Sequence, residues 1–255
     1  MMMLSKEQVD QFWEDGFLVV ENLLDDEEVK TILDHAEWVA SGNTEHISRD
    51  RLQVEPRVSA GEAKAASYQD SLRKMSHLAF NDKVFESHAR NPKILDVIES
   101  LLGPDIKLYQ DQFFMKPPRV GSRQPYHQDM PLGFHIEPPA MVSCWAALND
   151  STIENGCLWM LPGTHKFGII EKSKWQEYEK QSLKGDLPAE RPVDLKAGSC
   201  SFHHGLILHS SRPNLTDQRR RGYATHYVSA KCRYTGSHEE NDSMLVRGRS
   251  FSGCI

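Results

Sequence analysis

The sequence predicts a mainly β protein of the sandwich or jelly-roll type, with packed helices in its N-terminal region. Two observations support this fold class. Residues up to Pro104 carry amphipathic helical patterns with capping residues. After Pro104 the pattern changes to short β-rich runs that proline and glycine interrupt, and many short strands at such spacing are typical of these folds.

The length of the chain predicts one domain. A chain of 255 residues is large enough to bury a sizeable core without disulfides or a structural metal. We therefore expect a single domain over 1–255, with a helical region over about 1–104 and a β core over about 105–255.

Three helices are expected to buttress the sheet. Each begins at a residue that can cap a helix and ends at a glycine. The expected boundary residues are Ser5 and Gly16, Asp25 and Gly42, and Asn91 and Gly103. Residues 17–20 form a β-rich run between the first two helices. Residues 42–71 are polar and lack a clear period, which predicts an irregular, mobile loop.

The β core contains several strand-like runs. They cover residues 106–116, 141–148, 157–161, 199–208 and 222–229. The insertion 166–191 is rich in Lys, Glu and Gln and is too polar to belong to the core. Two interpretations of this insertion stay open, a surface excursion and a lid over an active site.

Composition and charge argue against several classes of protein. A net charge of −6 and a pI near 6.1 give no electrostatic reason to expect nucleic acid as a partner. No stretch approaches the roughly 18 apolar residues of a membrane helix, and the first residues lack the apolar core of a signal peptide. The cysteines are odd in number and include no Cys-x-x-Cys pair, which indicates reduced thiols. We expect a cytoplasmic protein whose oligomeric state is open.

The segment Pro125–Asp129 carries the first chemical signal. His127 and Asp129 are two positions apart, so on a β-strand both side chains point to the same side. A third ligand is available in the apolar run 202–210, which contains three histidines. Two histidines and one carboxylate on one face of a metal are typical of non-haem Fe(II) oxygenases. Taken alone, however, His-x-Asp occurs often by chance.

Three consecutive arginines, Arg219 to Arg221, open the last strand-like run. A buried guanidinium near a ferrous site is what a dicarboxylate cosubstrate requires, because the planar fork binds a carboxylate through two hydrogen bonds. On a strand, Arg219 and Arg221 point to one face and Arg220 to the other, so only one of these two sets can face a cavity.

Several stretches in order along the chain resemble the phytanoyl-CoA dioxygenase family of Fe(II)/2-oxoglutarate-dependent oxygenases. The matching stretches are Asp15–Val20, Met115–Pro118, Tyr126–Asp129, Asn155–His165 and His204–Asn214. They are spread over most of the chain. The resemblance implies a double-stranded β-helix, a jelly roll of cupin type, with the helices packed on one sheet.

The resemblance also implies a ligand set. His127, Asp129 and His209 would bind Fe(II). His209 is preferred to His203 and His204 because the distal ligand of the family precedes a turn like Ser-x-x-Pro-Asn. His204 has the opposite strand parity to His209, so we expect it to pack or to form hydrogen bonds.

The family spacing selects Arg220, eleven residues after His209, as the partner of the distal carboxylate of 2-oxoglutarate. This choice turns the small residues Gly222 and Ala224 inward, where they leave room for a ligand. Arg219 and Arg221 then face away. Five further residues stand where members of the family line the cosubstrate pocket, although the family has another residue type at Gln112. They are Lys74, Gln112, Gln128, Trp145 and Ser211.

The activity implied by the resemblance is hydroxylation of an unactivated C–H bond of a small molecule. 2-Oxoglutarate and O₂ would be consumed, and succinate and CO₂ would be formed. Related halogenases place a small residue where Asp129 stands, so Asp129 favours hydroxylation. One alternative is an acyl-CoA 2-hydroxylase of the phytanoyl-CoA type. The other is a metal-binding cupin without oxygenase activity, which would have no need for a buried arginine near the metal.

The substrate stays open at this stage. Arg119 and Arg123 beside the proline-rich turn meet an anionic substrate in one interpretation and are simply solvated in the other. The targeting extension of the peroxisomal acyl-CoA enzymes is expected to be absent.

Overall fold

The computed structural model describes residues 3–236 and 243–255. The helices of these residues are Lys6–Asp15 (α1), Asp26–Ala40 (α2), Pro56–Ser59 (α3), Tyr68–Ser71 (α4), Lys83–Ala89 (α5), Pro92–Leu102 (α6) and Trp175–Lys184 (α7). The first seven strands are Phe17–Val20 (β1), Leu52–Val54 (β2), Leu72–Ser76 (β3), Ile106–Lys116 (β4), Gln124–His127 (β5), Ile136–Glu137 (β6) and Met141–Ala147 (β7). The remaining strands are Leu158–Met160 (β8), Arg191–Val193 (β9), Cys200–His204 (β10), His209–Ser211 (β11), Arg220–Ser229 (β12), Arg233–Tyr234 (β13) and Met244–Arg247 (β14).

Two antiparallel sheets face each other across a cavity. The large sheet has the strand order β1-β10-β7-β12-β4-β3-β2, and β14 also pairs with β4. The small sheet has the order β5-β11-β8-β9, and β13 pairs with β6 separately. Buried apolar residues of both sheets, among them Trp145 and Met160, pack in one cluster with Ile207 of the connection between β10 and β11. The predicted jelly roll is confirmed.

The helices cover the outer face of the large sheet. Ile94 and Ile98 of α6 are fully buried in one cluster with Val142 and Tyr227 of the sheet. Burying a side chain of this size contributes roughly 1.5–3 kcal/mol. The Tyr227 hydroxyl also donates a hydrogen bond to the Ala89 carbonyl at 2.9 Å. The predicted helical buttress therefore rests on a continuous apolar layer.

The helix boundaries follow the capping residues in the sequence. Ser5 and Asp25 each form a complete capping box, and the Asn91 side chain accepts from the Lys93 N–H. Gly16 ends α1 with φ +84°, a conformation that favours glycine. A side chain at Gly16 would also overlap the ring of His165.

Three expectations about the elements need correction. Residues 42–71 do not form one irregular loop, because this region contains β2, α3 and α4. The N-terminal region, expected to be helical up to about residue 104, also supplies β1, β2 and β3 to the large sheet. The predicted strand 199–208 is too long, since β10 ends at His204 in the large sheet and the next strand, β11, begins at His209 in the small one. The strands among these elements are decided by pairing within the two sheets, which local composition does not report.

The insertion 166–191 contains α7 and the short 3-10 turn Lys172–Lys174, and another such turn, Thr164–Phe167, overlaps its start. Although its composition is polar, the insertion contributes an apolar contact: Trp175 packs in a buried cluster with Tyr126 and Leu208 of the small sheet region. Trp175 also donates a hydrogen bond from its indole N–H to the Ile170 carbonyl at 3.0 Å. The insertion is thus fixed against the outer face of the small sheet.

None of the helices that the structure describes is long and apolar enough to cross a membrane. The five cysteines are all free thiols.

Candidate active site

Three side chains with metal-binding atoms converge between the two sheets. The ligand atoms of His127, Asp129 and His209 all lie within 4.8 Å of one another. The Nε2 atom of each histidine lies 3.7 Å from Asp129 Oδ1. His127 and His209 are paired residues of the neighbouring strands β5 and β11, with ring centroids 4.2 Å apart. Cross-strand pairing therefore brings the two imidazoles together.

Backbone carbonyls fix the orientation of both rings. His127 Nδ1 lies 2.8 Å from the Pro125 carbonyl, and His209 Nδ1 lies 3.1 Å from the Ile207 carbonyl. An N–H donated from Nδ1 leaves the lone pair of Nε2 facing Asp129, which is the tautomer that a metal ligand needs. Burial, reinforced by His209, lowers the pKa of His127 to about 4, and burial also lowers the pKa of His209. Both imidazoles are neutral at pH 7.

Asp129 reaches the cluster from a turn. β5 ends at His127, and Asp129 immediately precedes the 3-10 turn Met130–Leu132, with φ −67° and ψ −47°. Strand alternation therefore does not explain its direction, and the expectation of two ligands on one strand is corrected. The turn is held in place by the Met130 N–H, which donates to the Gly205 carbonyl at 3.1 Å.

A row of polar residues behind Asp129 was not assigned from the sequence. Ser143 of β7 is paired with both His203 of β10 and His226 of β12. Distances from Asp129 Oδ2 are 3.6 Å to His203 Nε2, 3.4 Å to Ser143 Oγ and 3.8 Å to His226 Nδ1. Burial alone would raise the pKa of Asp129, but His209 and His203 hold it well below its usual range. Only the register of the large sheet reveals this row.

His203 and His204 do not belong to the cluster of metal-binding atoms formed by His127, Asp129 and His209. The ring of His204 lies 5.8 Å from the ring of Trp13, and its Nδ1 accepts the Leu206 N–H at 3.1 Å. His204 therefore packs and forms a hydrogen bond, as its strand parity predicted.

Arg220 lies in the same cavity as the three metal-binding side chains. It is only 3% exposed, and its Nη2 donates to the Gly156 carbonyl at 3.0 Å. Its Nε is buried and has no hydrogen-bond partner among the described residues. The guanidinium lies 5.2 Å from the centre of the Trp145 ring. A buried donor without an acceptor costs about 1–3 kcal/mol, so the pocket favours a ligand with an acceptor at this point.

Arg219 and Arg221 point away from the cavity. Arg219 forms ion pairs with Glu37 at 2.9 Å and with Asp70 at 2.6 Å. Arg221 pairs with Glu37 and donates to the Asn149 side chain at 2.8 Å. The alternation expected for the three arginines is present.

Most of the other predicted pocket residues also line the cavity. They are Lys74, Gln112, Trp145 and Ser211. Ala224 lines it too. The space over Gly222 is occupied by the Trp145 ring, which a side chain at this position would overlap. Gly222 therefore makes room for Trp145 and not for a ligand. Burial, with a contribution from Arg73, lowers the pKa of Lys74.

Gln128 is the exception, and its expected contact with the cosubstrate is corrected. Its side chain is fully buried on the far side of the strand. Its Nε2 donates to the carbonyls of Gly168 at 2.9 Å and Leu206 at 2.6 Å, and its Oε1 accepts the Ile170 N–H at 2.8 Å. Gln128 therefore anchors the start of the 166–191 insertion to the small sheet.

The cavity has a volume of about 610 Å³ and contains further charged residues that the sequence reasoning missed. Arg73 donates to Glu55 at 3.3 Å, to Ser122 at 2.7 Å and to Gln124 at 2.7 Å, which joins the edge of the large sheet to β5. Lys116, at the end of β4, also lines the cavity. Its place in the sequence beside two prolines gave no sign of this position.

The side chains present fit Fe(II) and a dicarboxylate. Two neutral imidazoles and one carboxylate form the donor set expected for Fe(II), and the unpartnered Nε of Arg220 suits a carboxylate oxygen. When bound, Fe(II) supplies the redox chemistry by which O₂ is activated. His127, Asp129 and His209 would hold the metal, and Arg220 would orient the ligand.

Arg119 and Arg123 are not free to meet an anion. Arg119 forms two hydrogen bonds of 2.7 Å with Asp217, and Arg123 forms an ion pair with Glu179. Neither residue lines the cavity.

Comparisons with known proteins agree with this geometry. The profile of the family "Phytanoyl-CoA dioxygenase (PhyH)" matches residues 12–222. Human peroxisomal phytanoyl-CoA dioxygenase is 29% identical over 265 residues, which cover 96% of this chain and 75% of the human protein.

Solved structures show the same fold. EctD from S. alaskensis, solved with 2-oxoglutarate and 5-hydroxyectoine, gives a TM-score of 0.77 at 20% identity, covering 98% of this chain and 86% of EctD. The non-haem monooxygenase ThoJ in complex with Ni gives a TM-score of 0.70 at 25% identity, covering 97% of this chain and 86% of ThoJ. The prediction of a non-haem iron dioxygenase that uses 2-oxoglutarate is confirmed, and the chain belongs to the phytanoyl-CoA dioxygenase family.

Proposed function

We propose that this dioxygenase hydroxylates an unactivated C–H bond of a small molecule, with Fe(II) bound by His127, Asp129 and His209 and 2-oxoglutarate bound by Arg220. The observation that carries the proposal is the presence, in one cavity, of a converging two-histidine, one-carboxylate set and a buried guanidinium whose Nε lacks a partner among the described residues. Asp129 supports hydroxylation over halogenation, because a carboxylate occupies the ligand position.

A first experiment tests the cosubstrate. Under anaerobic conditions, Fe(II) and 2-oxoglutarate together are expected to give the weak visible charge-transfer band of a keto acid bound through two oxygens to ferrous iron. If iron is bound and no band forms at saturating 2-oxoglutarate, the protein is a metal-binding cupin of another kind.

A second experiment addresses the substrate. A panel of metabolites is incubated with the Fe(II) protein, 2-oxoglutarate and O₂, and succinate formation above the substrate-free rate is measured. The panel includes acyl-CoA thioesters, because the human relative is named a phytanoyl-CoA dioxygenase. Stimulation by CoA thioesters alone would favour the acyl-CoA 2-hydroxylase alternative.

The proposed location is the cytoplasm, and no nucleic-acid partner is proposed. Five free cysteines support a reducing compartment, and the net charge of −6 is unfavourable for binding nucleic acid.

A further inference from the structure

Lys116 is placed directly opposite Arg220 in the large sheet. The two residues are paired across β4 and β12, and both line the cavity. Side chains of directly paired residues lie on the same face with Cβ atoms about 4.5–5.5 Å apart. Lys116 is 7% exposed and Arg220 is 3% exposed. The deep end of the cavity therefore holds two buried basic groups side by side.

No carboxylate compensates these two groups among the residues that the structure describes. No described acidic oxygen lies within 4.0 Å of Lys116 Nζ or of the Arg220 guanidinium; the nearest acidic influence on Lys116 comes from Glu55, which pairs with Arg73 instead. Like charges placed opposite each other destabilise a sheet, and a buried charge without a partner costs several kcal/mol. An anion bound between the two groups would compensate both of them.

The surroundings of Lys116 hold its side chain in one position. A side chain on Gly121 would overlap Lys116 Cγ, and one on Gly156 would lie 3.0–3.1 Å from Lys116 Cδ and Nζ. The ammonium donates to Ser211 Oγ at 2.8 Å and to the Arg212 carbonyl. An ammonium has three N–H donors, so one remains for a ligand in the cavity.

The hydrogen bond from Lys116 also prepares Ser211. Because Ser211 Oγ accepts from Lys116, its own O–H is available as a donor, and Ser211 lines the same cavity. Lys116, Ser211 and Arg220 thus present donors of three kinds to the deep end of the cavity. Charge-assisted donors of this type are about twice as strong as neutral ones.

We propose that Lys116 is a cosubstrate-binding residue that, together with Arg220 and through Ser211, selects a keto acid with a distal carboxylate. This inference rests on the proposed function, since it takes 2-oxoglutarate as the ligand of Arg220. The proposed function assigns the distal carboxylate to Arg220 alone. The present inference assigns it to two basic residues, Lys116 and Arg220, on adjacent strands.

The acid–base state of Lys116 is consistent with this role. Burial, then Arg220 and Arg73, lower the pKa of Lys116 to about 6, while Glu55 and Cys157 act weakly in the other direction. Without an anion the amine is therefore mostly neutral at pH 7, and a carboxylate beside it favours the charged form, which has a third N–H to donate.

The test compares two ligands that differ only in the distal carboxylate. Binding of 2-oxoglutarate and of 2-oxopentanoate to the anaerobic Fe(II) protein is measured by calorimetry for the wild type, Lys116→Met and Arg220→Ala. Met keeps the unbranched stem within the space left by the two glycines and removes the ammonium. Lys107→Met, on the same strand but not lining the cavity, serves as the matched control.

Lys116→Met is expected to weaken 2-oxoglutarate about 10- to 100-fold, the loss of one charge-assisted hydrogen bond. It should change the affinity for 2-oxopentanoate less than about 3-fold, within the range of ordinary surface substitutions. Lys107→Met should change neither affinity. Equal weakening of both keto acids, or no change in either, would overturn the role of Lys116 and leave it a structural residue.

The experiment distinguishes failure of the inference about Lys116 from failure of the proposed function. If Arg220→Ala loses the preference for 2-oxoglutarate and Lys116→Met keeps it, the inference about Lys116 is wrong and the proposed function stands. If the wild type itself does not prefer 2-oxoglutarate to 2-oxopentanoate, the proposed function is wrong. Should Lys116→Met not bind iron, Lys116→Gln, which keeps a donor toward Ser211 without the charge, is measured in its place with the same criteria.

Discussion

The two ends of the cavity are complementary in charge. At one end, two neutral imidazoles and the carboxylate of Asp129 bring their electron-rich atoms within 4.8 Å of one another. At the other end, Lys116 and Arg220 are paired across two strands with no described carboxylate within 4.0 Å of either. At each end the described residues lack a partner of opposite charge for the groups that converge there. A cation suits the first end and an anion the second.

This comparison indicates where ligands bind more clearly than the shape of the cavity does. A structural ion pair would place opposite charges together, as Arg73 and Glu55 do at 3.3 Å in the wall between the ends. The protein instead places two basic groups together at one end and converging lone pairs of two imidazoles and a carboxylate at the other. Ligands of the matching charge would compensate both arrangements. A metal-bound keto acid with a distal carboxylate matches both ends.

The largest effect is expected at the metal end. Asp129→Ala and His209→Ala should each abolish iron binding and 2-oxoglutarate turnover, because each removes one of three protein ligands. His204→Ala should retain iron and lose only packing against Trp13. Metal content and succinate formation are measured for each variant. Iron loss in His204→Ala but not in His209→Ala would make His204 the distal ligand in place of His209.

The next effect concerns the cationic end. Arg220→Ala should weaken 2-oxoglutarate about 30- to 1000-fold or more, because truncating a buried guanidinium–carboxylate contact costs roughly 2–5 kcal/mol. Iron affinity should change little. Titrations of the Fe(II) complex report the affinity.

Arg219→Ala and Arg221→Ala are the internal controls for Arg220. Both side chains pair with Glu37 outside the cavity, so their removal should leave 2-oxoglutarate affinity within about 3-fold, as for surface substitutions. If either control lost more affinity for 2-oxoglutarate than Arg220→Ala, Arg220 would not be the residue that binds the distal carboxylate.

A smaller effect is expected in the wall beside the metal end. Gln128→Met removes three buried hydrogen bonds to the backbone and should destabilise the protein by on the order of 3 kcal/mol. Urea unfolding gives the stability, and limited proteolysis should show faster cleavage within 166–191. Lower turnover at unchanged iron content would identify the insertion as a lid. Unchanged turnover would identify it as a surface excursion.

The smallest effect tests whether a low histidine pKa marks a ligand. Burial lowers the pKa of His88 to about 4, as it does for His127, yet His88 packs against Tyr223 under the large sheet, away from the described metal cluster. A histidine pKa below the unfolded value of about 6.5 means that the unfolded chain binds the proton more strongly. Stability is therefore complete above about pH 6.5 and falls as the pH approaches 4.

Between pH 7 and pH 5 this linkage amounts to about 2 kcal/mol for one histidine. Urea unfolding gives the free energy of unfolding at both pH values. Its change between pH 7 and pH 5 should be smaller by about 2 kcal/mol in His88→Leu than in the wild type. Iron binding at pH 7 should be the same in both proteins. Equal pH dependence in both would show that His88 binds a proton as readily in the folded state as in the unfolded chain.

The sequence by itself determined the composition of the site and the helical frame. The resemblance to the family, carried by motifs in the sequence, implied His127, Asp129, His209 and Arg220, and the structure gathers all four around one cavity. Helix boundaries such as that at Ser5 were also determined locally, because capping depends on residues three positions apart. Signals of this kind are contained in a few consecutive residues.

Only the tertiary structure decided how distant strands are aligned. The row of His203, Ser143 and His226 behind Asp129 and the pairing of Lys116 with Arg220 both follow from the register of the large sheet. The direction of Gln128 was decided by backbone groups some 40 and 78 residues further along the chain. Register depends on the packing of whole strands, and a shift of one residue would turn every side chain to the opposite face. No local pattern in the sequence contains that information.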